Sequence, residues 1–328
     1  MSADPFKRRC IMRSNEFRGL LDSLEHLTTR QREALLAALE TDDQDVVPEV
    51  ASEVVGDAPC CPHCESQRVI RWGQTNGMQR RRCKDCERTF TPLTETPLAH
   101  LRLRDRWAQY VESMRQGETL AQAARRCGIH INTAHRWRHR FLKGTTQLQA
   151  RLVGIAEADE TFLPRSAKGQ PELLKQWGRP ARKRGGVATT GGRSHQERIA
   201  VWVARDRAGG TFARVTEKMD AASLKPLLRE AVEPDAVLCS DGWSSYRAAA
   251  AQLGIRHERI LFQRGERVRG PFHVQNVNNY HGRWKGWMRR FNGVSTRYLQ
   301  RYVSWFRILD AHSDTHDSRY LLRAAIAA

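Results

Sequence analysis

Apolar positions near the start of the chain recur at helical spacing. Leu20, Leu21, Leu24 and Leu27 fall on one stripe, and Thr28 with Gln31 makes a capping box for a second short helix. Residues 1–40 are therefore expected to form a helical segment with a small hairpin over 17–40. The pattern then lapses. From Thr41 to Gln67 there is no Lys or Arg, while Asp42, Asp43, Asp45, Glu49, Glu53 and Asp57 gather around Pro48, which predicts a solvated acidic linker over 41–57. Helical periodicity returns from about Leu101 to Leu142. Beyond it strands and helices alternate. Val153–Phe162, Ile199–Asp206, Phe212–Thr216, Ala236–Ser240 and Arg256–Phe262 are rich in Val, Ile and aromatics and bounded by Gly or Asp. Ala221–Val232, Ser244–Leu253 and an aromatic, basic region from Asn276 onward carry the helical period instead. Asp206-Arg207-Ala208-Gly209-Gly210 predicts a hairpin between the second and third strands, so the back half reads as a mixed sheet with flanking helices, followed by a tail over 311–328.

Charge changes this picture from a fold to a kind of partner. The 328 residues hold 55 Lys plus Arg against 36 Asp plus Glu, a net charge of +19, which suits a polyanion such as nucleic acid. The stretch 164–198 carries nine Lys or Arg against two Glu and is too long for a routine turn, so it reads as a mobile insertion facing that polyanion. An apolar content of 40% is enough for a buried core in a chain of two or three domains, which excludes a disordered tail. No stretch approaches the roughly 18 apolar residues of a membrane span, and Met1 to Arg13 has no signal-peptide core, so a cytoplasmic protein is expected. Eight cysteines in that compartment stay reduced.

Four of those cysteines are paired by spacing. Cys61-Pro62-His63-Cys64 and Cys83-Lys84-Asp85-Cys86, eighteen residues apart, place four thiolates where two tight turns close around one tetrahedral Zn²⁺, so 58–97 is expected to be a small β zinc ribbon. Four thiolates leave no open position for substrate, and the zinc is structural. Residues 98–148 follow as an α-helical helix-turn-helix. Leu120 to Ile129 and Asn132 to Trp137 put small or apolar residues where two helices cross, with Gly128 at the turn. Asn132 or Thr133 caps the second helix, whose His135, Arg136, Arg138, His139 and Arg140 offer groups for phosphates and base edges of double-stranded DNA. Further on, Asp159 and Asp241 each end an apolar strand candidate, a common way to present hard oxygen ligands to Mg²⁺, although either alone is more often a turn residue.

These motifs, in this order, resemble one family: the insertion-sequence transposases numbered fifteen-ninety-five. The carriers are Cys61 to Cys64, the run Arg82 to Thr94, Asp159-Glu160-Thr161, Asp241-Gly242, and His273-Val274-Gln275-Asn276-Val277-Asn278-Asn279-Tyr280-His281 through Lys285. The resemblance spans about 58–310. It implies an α/β ribonuclease-H-like catalytic domain over 149–310 that cleaves DNA at transposon ends and joins the freed 3′-OH to target DNA, with Mg²⁺ or Mn²⁺ as cofactor. It also implies Asp159 and Asp241 as the first two metal ligands, Asn278 as the third, and Lys285 on a phosphate. Asn278 and Lys285, seven residues apart, share a helical face. Asn278 is a neutral residue where many relatives carry Glu, so His281, one turn along, is an alternative third ligand, and Glu157 or Glu160 can restore the missing charge. Tyr246 and Tyr280 are expected to pack or touch DNA rather than act as nucleophiles. Pairing two element ends implies at least a homodimer. The competing reading is a DNA-binding regulator whose nuclease domain is inactive.

Overall fold

The computed structural model describes residues 14–32, 35, 46–56, 60–146, 149–178, 198–313 and 318–326. Near the N-terminus, helix α1 (Ser14–Ser23) runs into a short 3₁₀ turn, and the Thr28 and Gln31 side chains cap each other's backbone as the motif predicts. The remainder of the expected hairpin lies largely outside the described residues.

The acidic linker is corrected by a helix, α2 (Val46–Val55). Val47, Val50 and Ala51 recur at helical spacing and are buried, and each fully buried Val contributes about 1.5–3 kcal/mol, enough to offset ordering of the segment. Of the acids that suggested solvation, the two within the described helix are paired instead. Glu49 meets Arg319 at 2.9 Å and Glu53 meets Arg323 at 2.6 Å. Both arginines belong to a helix, Arg319–Ile326, that occupies the expected tail and buries Leu321, Leu322, Ala325 and Ile326.

A three-stranded antiparallel sheet follows: β1 (Val69–Thr75), β2 (Met78–Cys83) and β3 (Thr89–Phe90) in that order. Its β1–β2 turn leans on α2, so that a Cβ added at Gly77 would meet Pro48 Cγ at 3.3 Å. The helical stretch after it resolves into α3 (Trp107–Arg115), α4 (Leu120–Arg126) and α5 (Ile131–Thr145). Thr119 and Gln122 form a capping box on α4. The cap of α5 is His130, whose ring accepts from the Asn132 amide, and neither Asn132 nor Thr133 takes the role the sequence suggested. Trp107, Tyr110, Trp137 and Phe141 lock α3 to α5 through edge-on ring contacts.

The back half is a five-stranded mixed sheet. Its strands are β4 (Ile155–Pro164), β5 (Arg198–Asp206), β6 (Thr211–Thr216), β7 (Val237–Ser240) and β8 (Arg256–Arg259), in spatial order β6-β5-β4-β7-β8. Central β4 pairs antiparallel with β5 and parallel with β7. The last strand ends three residues earlier than expected, giving way to a 3₁₀ turn over Phe262–Arg264. The expected insertion contains a short helix, α6 (Pro171–Gln176), and its residues 179–197 lie outside the described residues. Helices α7 (Ala221–Ala231) and α8 (Ser244–Leu253) cover one sheet face through Leu224, Leu228, Tyr246 and Ala250, against Ala156, Ala158 and Trp202. The other face meets α9 (Gln275–Met288) and α10 (Thr296–Ala311), after which the Arg319–Ile326 helix is α11. That second core is continuous from Val201 and Val203, through Trp284, Trp287 and Trp305, into Trp137 and Phe141 of the helix-turn-helix. The aromatic residues of the C-terminal region are thus mostly core.

Candidate functional site

The register of two parallel strands brings the two aspartates together. Glu157 on β4 pairs with Cys239 on β7, so two residues further on Asp159 lies beside Asp241. Asp241 follows the last residue of β7, but Asp159 does not end its strand as the sequence suggested: it sits in the middle of β4, paired with Val203, because β5 continues the ladder as far as Pro164. Gly242 then turns the chain at φ +83°, where a Cβ would meet Leu261 Cδ2 at 3.0 Å. Burial, and next the Asp241 charge, push the Asp159 carboxyl up to about 6. Helix α9 supplies the remaining groups. His281 Nε2 lies 3.9 Å from Asp159 Oδ2, and both ring nitrogens are buried with no hydrogen-bond partner among the described residues. Burial, then the Lys285 charge, pull this imidazole down to about 4, so it is neutral at physiological pH. Lys285 and Asn278 are exposed on α9, and Asn278 makes no hydrogen bond to either aspartate. Two close carboxylates, one resisting ionisation, beside a neutral imidazole with free nitrogens make a donor set that fits a divalent cation.

Glu157, which the sequence offered as a spare ligand, does something else. Its fully buried carboxylate accepts from the amides of Asn276 (2.8 Å) and Val277 (3.2 Å) and from Asn276 Nδ2 (2.9 Å), at the first turn of α9. Arg207 and His273 approach the same carboxylate at 3.0 and 3.3 Å. An anion there satisfies amides that a helix start leaves unpaired. It pins α9, and with it Asn278, His281 and Lys285, to the strand bearing Asp159. Glu160 points to the opposite face, where it accepts from the Tyr246 hydroxyl, itself bonded by Trp202 Nε1. Neither acid therefore compensates for Asn278. Tyr246 and Tyr280 are both buried, and burial raises each hydroxyl's pKa, which suits packing residues. The positioning role of Glu157 was readable only from period two, which puts it on the strand face of Asp159.

The four predicted cysteines converge. Their sulfurs all lie within 4.8 Å of one another, with Cys61–Cys86 and Cys64–Cys83 each at 3.6 Å. A tetrahedral ion with bonds of about 2.3 Å sets sulfurs about 3.8 Å apart, so the cage fits Zn²⁺. Cys83 is drawn down to about 6, the amide of Cys86 being the leading cause. His63 turns away to Glu95 at 3.0 Å, and Cys60 is exposed outside the group. Arg68 and Ser66 both bind Asp85 and so brace one knuckle against the other.

The second helix of the helix-turn-helix is less open than its charge suggested. Arg138 is fully buried, donates to the Glu118 carbonyl and lies 4.4 Å over the Trp305 ring. Arg140 is spent on the Pro97 and Ala99 carbonyls. His139 stacks on Tyr298 at 3.8 Å. Asn132, His135 and Arg136 remain exposed, and Thr133 is half-buried. The surface open to DNA is thus the N-terminal part of α5; Arg138 and Arg140 are corrected to structural residues, because a guanidinium can also serve a buried carbonyl or ring.

Comparison with known proteins places the chain among transposase-like sequences. A family model described as the ISXO2-like transposase domain matches residues 151–307, and one described as a homeodomain-like domain matches residues 100–149. A Halobacterium salinarum protein, described as an uncharacterized protein in transposable element ISH50, is 27% identical over 252 residues, covering 76% of this chain and 84% of that protein.

Proposed function

We propose that the chain is an insertion-sequence transposase with an ISXO2-like domain, which binds the terminal inverted repeats of its element and catalyses metal-dependent end cleavage and 3′-OH strand transfer into target DNA. One observation carries the reading: Asp159 in the middle of β4 and Asp241 just past the end of the adjacent parallel strand β7 lie beside a buried imidazole whose nitrogens have no partner among the described residues. The sheet order β6-β5-β4-β7-β8, with three antiparallel strands followed by two parallel ones, supports a ribonuclease-H-like domain. The convergent thiols support a zinc ribbon.

Asp159 and Asp241 would hold Mg²⁺ or Mn²⁺, with the third position on α9 going to Asn278 by the family pattern or to His281 by proximity. Such ions, when bound, would supply activation of the attacking oxygen and stabilisation of the leaving one. The chain's own contribution is placement. Glu157 fixes α9 against β4, Lys285 presents a cation to the scissile phosphate, and neutral His281 avoids repelling the metal. Recognition falls to Asn132, Thr133, His135 and Arg136, and two copies of the chain pair two element ends. The protein acts on chromosomal DNA in a prokaryotic cytoplasm; among the described residues no helix is long and apolar enough to cross a membrane.

The neutral Asn278 also favours a second reading, a regulator that binds ends without cutting them. A duplex carrying the element's end separates the two. With Mg²⁺ or Mn²⁺ the transposase nicks it at the element boundary and Asp159→Asn does not, whereas a regulator binds the duplex and leaves it intact.

A further inference from the structure

A cleft of about 610 Å³ opens between the helix-turn-helix and the catalytic domain, away from the aspartate pair. Its walls come from the start of α4 and from His135 and His139 of α5. Opposite them lie residues 168–170 and the segment from Arg290 into α10. Three features mark it as a built site. Lys168, Arg290 and Arg297 line it and no acid does; among the described residues none of the three is ion-paired, Lys168 and Arg290 meeting only backbone carbonyls, which leave their charge unneutralised. Ser295 begins α10, where the helix dipole favours an anion, yet its side chain does not cap that helix. Its hydroxyl is unpartnered although the residue is only 6% exposed, and the cleft wall is where it lies. His139 Nδ1, on the facing wall, is likewise buried without a partner. A deficit of negative charge and two unsatisfied polar groups in one cleft call for an anion with hydrogen-bonding oxygens.

We propose that this cleft takes the phosphate backbone of one DNA strand as it leaves the recognition helix, holding the element end across both domains at once. The choice of DNA over a free nucleotide rests on continuity. His135 belongs both to the exposed face of α5 and to the cleft wall, and the start of the preceding helix, which crosses the backbone in such motifs, forms the adjoining wall. The inference rests on the transposase reading above and adds a phosphate site outside both the recognition helix and the metal site.

Titration of a labelled end duplex into the full-length zinc-loaded protein over a range of KCl concentrations tests it. The wild type is compared with Lys168→Gln/Arg297→Gln and with Ser295→Ala, each checked for an unchanged melting temperature. Loss of two phosphate contacts lowers the slope of log K against log salt by about 2. Ser295→Ala weakens binding about tenfold, as removal of a donor to a charged oxygen does. Wild-type affinity and slope in both variants overturn the proposal. So does displacement of the duplex from the wild type by micromolar thymidine monophosphate, which assigns the cleft to a free nucleotide. A wild type that binds no duplex at any salt overturns the transposase reading itself, whereas normal end binding that ignores these variants removes only the cleft.

Discussion

Glu157 and Asp159 lie two positions apart on one face of β4, and their surroundings divide their roles. Glu157 is surrounded by donors and anchors α9; Asp159 is buried and faces another carboxylate, which together push its carboxyl up to about 6. Glu157→Ala strips three donors of their acceptor and leaves Arg207 beside an empty site, which should cost about 3 kcal/mol or more and lower the melting temperature. A melting curve matching wild type would refute the anchoring role. His139 carries a pH signature. Burial first, then His135, Arg301, Arg138 and Arg297, pull it from the usual 6.5 to about 3. The unfolded chain takes up a proton below pH 6.5 and the folded one does not until about pH 3, so stability present above 6.5 drains away on acidification through that window. The limiting slope is about 1.4 kcal/mol per pH unit. His139→Phe keeps the stack on Tyr298 and should flatten the loss of urea resistance between pH 7 and pH 4.5; an equal loss in both proteins would count against it. Residue types were legible in the sequence where chemistry restricts them, as at Cys61, Cys64, Cys83, Cys86 and the aspartates. Arg138 and Arg140 were not, because charge on a helix does not tell whether the guanidinium meets a phosphate or a buried carbonyl.

At the scale of elements, strands β4 to β8 and helices α7 and α8 followed the period of their apolar residues, and the sheet was readable for that reason. Helix α2 was hidden because its partner, α11, lies 270 residues away in sequence, and only that contact turns Glu49 and Glu53 from solvated acids into ion-paired ones. The turn between α3 and α4 shows how close such distant contacts become. Gly117 sits at φ +66° with its absent Cβ 2.6 Å from Trp287 Nε1 and 2.8 Å from an Arg290 nitrogen. Gly117→Ala combines left-handed strain with overpacking and should destabilise by about 2–4 kcal/mol, seen as a lower melting temperature and faster proteolysis between α5 and β4. An unchanged protein would mean that the turn is free to move away. The ribbon is held differently. Its own cluster is little more than Cys61, Cys83 and Phe90 with Val69 and Cys86, too small to fold alone. Chelation of zinc should therefore remove a low-temperature calorimetric transition while leaving the main one near its place; an unaltered thermogram would show that the thiols carry no structural ion.

Across the whole molecule, the DNA-binding helices and the mixed sheet form one packed body. Arg290 donates to the Gln116 and Gly117 carbonyls, Trp305 Nε1 to that of Met114 and Arg307 to that of Thr145, so the turn after α9 and α10 itself grip the helix-turn-helix from α3 to the end of α5. Under the proposed function, a rigid arrangement would set a fixed spacing between the bases met by α5 and a phosphate at Asp159 and Asp241, as cutting at a defined element boundary would require. None of this docking was readable in advance, since its donors are arginines and tryptophans that sequence pattern assigns equally to a DNA surface. Strand transfer tests the central claim most directly. A pre-cut element end is offered with supercoiled target and Mg²⁺, comparing wild type with Asp241→Ala, Asn278→Ala and His281→Ala, all first shown to bind the end. The account predicts joined product from the wild type, none from Asp241→Ala, and loss in whichever α9 variant removes the third ligand; equal joining by Asp241→Ala and wild type would contradict it.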